Sequence, residues 1–169
     1  EMKQKVVRKQ PNSKMCYVCG LKNPIGLKAA FYELENGEVA GEFRFAEEYQ
    51  GYPDRLHGCI AAGLLDEAIG RAIRTHYNEE AMGQTVELHL RYRAAIPLNQ
   101  PLRIVARVTR DIRRLYEGTA ELKLPDGTVA VEATGRYFSL IGDTLPAEEL
   151  ESQEWRVYPV EEDPEELEI

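Results

Sequence analysis

Residues 56–73 constrain this chain more than any other stretch. From Leu56 through Gly58, Ile60, Leu64, Leu65, Ala68 and Ile69 to Ile73 the pattern is helical and apolar almost all the way round. At about 100° per residue, Cys59, Ala62, Gly63, Asp66, Gly70 and Ile73 share one side, while Ala61, Leu64, Leu65, Ala68 and Ala72 share the opposite one. Glu67, Arg71 and Arg74 leave only a narrow polar stripe. A helix apolar on most faces must be buried on most faces. Asp66 therefore sits among small side chains where a carboxylate is costly, and a costly acid points to chemistry. Ala62, Gly63 and Gly70 leave room for a ligand or a second backbone beside it.

The elements around this helix complete a pattern. Segments 27–34 and 38–45 alternate as strands across the turn Glu35-Asn36-Gly37. An irregular stretch, 46–56, leads into the helix, expected over 58–77 with a stop near Asn78. Strands are then expected at 85–95, 102–111, 116–124 and 128–140, the last after the turn Pro125-Asp126-Gly127. Within 102–111, Leu102, Ile104, Ala106 and Val108 form one face, and Arg103, Arg107 and Arg110 take exposed or rim positions. Two strands, one buried helix and four antiparallel strands imply a curved sheet wrapped round the helix, the α+β plan called a hotdog fold. Such a sheet exposes an edge, and pairing of edges between two chains predicts at least a homodimer.

A chain of 169 residues is long enough for one full core. The net charge of −8 is unevenly spread: residues 145–169 hold ten acids and one base, and residues 1–144 nineteen acids and twenty bases. The expected organisation is a polar N-terminal extension over 1–15, a body over 16–144, and a solvated acidic tail over 145–169. Truncation of that tail is expected to leave the fold nearly unchanged, although Trp155, Val157 and Tyr158 offer a short docking piece. A near-neutral body argues against nucleic-acid binding. No apolar run approaches the ~20 residues of a membrane span. Three cysteines and no signal-peptide core suggest a reducing, cytoplasmic setting.

The motifs resemble those of a known family. His57-Gly58-Cys59-Ile60 followed by Leu64-Leu65-Asp66-Glu67-Ala68 is similar to the helix motif of phenylacetic-acid-degradation-type acyl-CoA thioesterases. Cys16-x-x-Cys19-Gly20 with Asn23-Pro24-x-Gly26-Leu27 resembles the opening of many members, and residues 85–92 with Ala94 and Pro97 resemble their central strand. The resemblance, over roughly residues 16–140, implies hydrolysis of an acyl-CoA thioester with Asp66 as general base or nucleophile. It also implies the N–H groups of Gly58 and Cys59 as oxyanion donors, a water-holding hydroxyl at Thr85, and a structural or acid-base role for His57. Helix N-termini suit an oxyanion because their N–H groups lack intrahelical partners.

Other residues carry alternatives. Arg113 and Arg114 lie in the turn where relatives bind the CoA phosphates, yet paired turn arginines also suit a plain surface. Glu67 and Arg71 read as a surface i,i+4 ion pair. Gly51 stands where relatives often carry a polar group, and Cys59 replaces a second glycine. Cys16 and Cys19 lack a second Cys/His pair at zinc spacing, so they read as a reduced thiol pair in a turn, the alternative being a zinc with ligands shared across a dimer, and no metal or cofactor is expected. The expected assembly is a homodimer or dimer of dimers binding acyl-CoA. The competing functions are a non-catalytic acyl-CoA or lipid-binding module and a hydroxyacyl-thioester dehydratase.

Overall fold

The computed structural model describes residues 2–77, 83–139 and 146–169. Among them a long helix, α1 (Gly58–Tyr77), lies against a sheet of eight strands. The strands are β1 (Lys3–Lys9), β2 (Tyr32–Leu34), β3 (Val39–Phe43), β4 (Gly83–Tyr92), β5 (Leu102–Ile112), β6 (Leu115–Lys123), β7 (Val129–Ser139) and β8 (Glu166–Glu168). Their order is β4-β7-β6-β5-β3-β2-β1-β8, antiparallel at every paired edge. The sheet curves round α1 without closing into a barrel, so the chain has the hotdog fold. No helix among the described residues is long and apolar enough to cross a membrane.

The core follows the helix pattern. Leu64, Leu65, Ala68, Ile69 and Ile73 are fully buried, and they meet Ile104, Leu122 and Val131 of the sheet. Gly118 lets β6 approach the helix, because a Cβ there would sit 2.5 Å from Ile69 Cγ2. Both expected turns form with their glycines at positive φ, Gly37 at 83° and Gly127 at 86°. In each, the preceding Asn36 or Asp126 side chain accepts an N–H two residues on. The first expected strand is shorter than its pattern. The N–H groups of Leu27 and Ala29 donate to Tyr17 and Val18 carbonyls rather than to a sheet partner. The stop near Asn78, Leu140 and the boundary at 144/145 fall outside the described residues.

Both ends of the chain depart from expectation. The N-terminal segment is a strand, β1, between β2 and β8, and the acidic tail is docked rather than solvated. Its charges meet partners on the body: Asp163 pairs with Lys9 at 2.6 Å, Glu154 with Lys22 at 2.7 Å and Glu168 with Arg103 at 3.1 Å. Leu167 joins Tyr32, Leu34, Ala40 and Val105 in a second, smaller apolar cluster. Arg103 is consequently 7% exposed, not a rim residue. A short helix, α2 (Ala147–Ser152), precedes Trp155, whose ring lies 4.6 Å from Arg74 and 5.5 Å from Arg71.

Candidate active site

Asp66 projects from the middle of α1 on its small-residue side, where it is half-buried. The space beside it is real. A Cβ added to Gly70 would meet nothing within 4 Å, and one added to Gly63 only Val18 Cγ2 at 3.9 Å. Asp66, Gly70, Gly83, Thr85 and Tyr137 line a cleft of about 140 Å³, together with Glu67, Arg71, Arg74 and Trp155. Thr85 Oγ1 donates to Asp66 Oδ1 at 2.9 Å, and the Tyr137 hydroxyl donates to the same oxygen at 2.8 Å. Among the described residues no donor engages Oδ2. One carboxylate oxygen is thus anchored, and the other is left for a proton or a carbonyl carbon.

Tyr137 was not singled out from the sequence. Along β7, Val131, Ala133, Gly135 and Tyr137 alternate inward, and Tyr137 is the one residue of that set with a hydroxyl. Gly135 makes room for its ring, since a Cβ there would lie 2.6 Å from Tyr137 Cε2. Burial, then the charge of Asp66, pushes the Tyr137 phenol far above its usual range, so it remains a donor. Alternation along 128–140 was the available signal.

The helix N-terminus lies elsewhere. His57 Nδ1 accepts the Cys59 N–H at 3.1 Å, so the ring caps the helix and occupies one of the two expected oxyanion donors. Gly58 is left as the other, and its carbonyl accepts the Tyr92 hydroxyl at 2.7 Å. Cys59 is exposed, and Gly51 backs His57, with room for a Cβ only 3.2 Å from its ring. Tyr52, Leu56, Gly58, Tyr92 and Ile96 border a larger cleft of about 510 Å³ here. Gly58 and Asp66 are eight residues apart on one helix, about 12 Å along its axis at 1.5 Å per residue. The structure therefore brings Thr85 to Asp66 and leaves His57, Gly58 and Cys59 apart from it. Arg113 and Arg114 sit in the exposed β5–β6 turn, Arg113 at φ 59°. Adjacent Tyr116 pairs with Tyr137, which puts that turn at the Asp66 end of the sheet.

The Glu67–Arg71 pair is corrected. Arg71 is 2% exposed, donates to Glu67 Oε1 and the Pro11 carbonyl at 2.8 Å each, and stacks on Phe31 at 5.0 Å. The N-terminal segment and Trp155 cover the stripe that the helix periodicity assigned to solvent. Burial, with the neighbouring Arg71 charge, pulls the Arg74 guanidinium down to about 10, still charged at neutral pH.

The fold places the chain among hotdog proteins, and its central helix carries an acid, Asp66. Residues 54–131 match the family described as Thioesterase superfamily. Among solved structures, a thioesterase superfamily protein is 28% identical with a TM-score of 0.68, over 73% of this chain and 59% of that one. Zebrafish thioesterase superfamily member 2 is 26% identical with a TM-score of 0.56, over 60% and 74% of the two chains. A hypothetical thioesterase from Streptococcus pneumoniae TIGR4, solved with coenzyme A, shares the fold at 19% identity and a TM-score of 0.57, over 62% and 82%. No curated protein matches significantly.

Proposed function

We propose that this chain is an acyl-CoA thioesterase of the phenylacetic-acid-degradation type, hydrolysing a thioester to the free acid and CoA. The observation that carries the reading is Asp66 in an open cleft with Oδ1 anchored by Thr85 and Tyr137. In this reading the carboxylate takes a proton from water as water attacks the thioester carbonyl, or attacks that carbon itself. The Gly58 N–H, at the positive end of α1, receives the oxyanion. Arg113 and Arg114 hold the CoA phosphates by charge and fork geometry.

A reacting carbonyl needs both groups within about 3–3.5 Å, which the ~12 Å between Gly58 and Asp66 on one helix rules out for a single chain. The oxyanion donor is therefore assigned to a second copy. Strand β4 supports that assignment: it ends the sheet with one edge unpaired among the described residues, and Val86 and Tyr92 on it are 62% and 49% exposed. The proposed assembly is a dimer joined through β4.

The test is thiol release from a panel of acyl-CoAs by wild type and Asp66→Asn. Wild type should release CoA, and Asp66→Asn should lose at least ~10²-fold while keeping its fold. Binding without CoA release would make the chain a carrier, and water loss from a 3-hydroxyacyl thioester a dehydratase.

A further inference from the structure

We propose that Cys16, Cys19 and Glu67 form a binding site for a zinc-class divalent metal ion, with water in the fourth position. The proposal is independent of any thioesterase activity. One ligand atom from each of the three residues lies within 4.8 Å of the others. A tetrahedral zinc ion with Zn–S near ~2.3 Å and Zn–O near ~2.1 Å places its ligand atoms roughly 3.5–3.8 Å apart. Small side-chain rotations close that difference.

The loop is built to present both sulfurs together. Gly20 N–H donates to the Cys16 carbonyl at 2.7 Å, and Cys19 N–H points at Cys16 Sγ at 3.4 Å, a donor aimed at sulfur. Gly20 is required for that turn, because a Cβ would sit 2.3 Å from the Cys16 oxygen. Asn12 ties the loop down by donating to the Cys19 and Ala29 carbonyls at 2.8 and 2.9 Å. Cys19 is 1% exposed and Cys16 half-buried, so the pair is sheltered on one side and reachable on the other.

Glu67 is suited to the third place. Arg71 Nε holds its Oε1 at 2.8 Å, and a carboxylate bonded on one oxygen and coordinating through the other is the usual arrangement around a bound metal. Two thiolates, the Glu67 carboxylate, the buried Arg71 guanidinium and a divalent cation together have no net charge. Two soft sulfurs favour zinc over magnesium or calcium. Sequence spacing could not reveal this set, since its third member is an acid on a distant helix rather than another Cys or His. A bound ion would clamp the loop to the residue next to Asp66.

The decisive experiment titrates reduced, chelator-stripped full-length protein with Co2+ and follows its absorption. The expected result is saturation at one ion per chain, an intense near-ultraviolet sulfur-to-cobalt band, the visible bands of a tetrahedral site, and displacement by Zn2+. Cys16→Ser should at least halve the sulfur band and weaken Co2+ binding, since only the Cys19 thiolate remains as a soft ligand. Glu67→Gln should keep it while weakening Co2+ binding at least about tenfold. Cys59→Ser should keep the whole spectrum, which holds the test open if Cys16→Ser fails to fold. The proposal is overturned if wild type gives no sulfur band, if Cys59→Ser loses it, or if Glu67→Gln binds as tightly as wild type. A Cys16–Cys19 disulfide that persists under reductant also overturns it.

Discussion

Replacing Tyr137 with Phe isolates how Asp66 is held. The ring sits in space left by Gly135, so Phe keeps the packing and removes only the hydroxyl. What disappears is a hydrogen bond from a buried donor to the carboxylate at 2.8 Å, shared with the Asp66 backbone carbonyl at 3.1 Å. Hydrogen bonds to charged groups contribute about 1.5–3 kcal/mol, and each 1.36 kcal/mol is tenfold in rate, so kcat/KM should fall about 10–100-fold when the anchor is lost. The direction follows from positioning: without the hydroxyl, one hold on Oδ1 is gone and the carboxylate can turn away from the cleft. The proposed role makes the loss fall on kcat, with KM little changed. Thr85→Val should lower kcat in the same direction but less, because that site is more exposed. The assay is CoA release against substrate concentration, with melting curves to confirm both folds. An unchanged kcat in Tyr137→Phe would refute the account of the anchor.

Trp155→Ala removes two contacts over Arg74 and Arg71, at 4.6 and 5.5 Å, and should cost about 1–3 kcal/mol, or several degrees of Tm. Thermal melting checks it, and an unchanged Tm would return the tail to solvent. Acid should release the same tail. Burial pushes the Asp163 carboxyl up, but Lys9, the Val160 N–H and the Tyr32 hydroxyl together outweigh it and hold the group below its usual range. Its contribution is therefore complete at neutral pH and disappears as pH falls through that lowered value. Tryptophan fluorescence against pH should report undocking there in wild type, and at higher pH in Lys9→Met.

The helix and the strands that wrap it were legible because their burial is written as periodicity. Leu64, Leu65, Ala68 and Ile69 repeat at helical spacing, and α1 begins and ends within a residue of the expected bounds. Strand β1 was not legible, because Lys-Gln-Lys-Val-Val-Arg-Lys over 3–9 has the composition of a solvated arm. Its structure comes from the pairing edges of β2 and β8, which belong to distant parts of the chain. Arg71 failed for a related reason: periodicity identifies a polar stripe without saying what covers it. At the site, Asp66 stood out as an acid among small residues, whereas Tyr137 is an ordinary inward position of a strand until Asp66 is seen beside it.

The central claim is a site whose acid comes from one chain and whose oxyanion donor comes from another. It is tested by mixing two inactive variants. Asp66→Asn lacks the base, and Gly58→Pro lacks the N–H while placing proline at the first helical position, where it is tolerated. After denaturation and joint refolding, a shared site gives each mixed dimer one intact centre, so about a quarter of wild-type CoA release should return. If the mixture stays as inactive as its components while mixed dimers form, the site does not span two chains and the account is wrong.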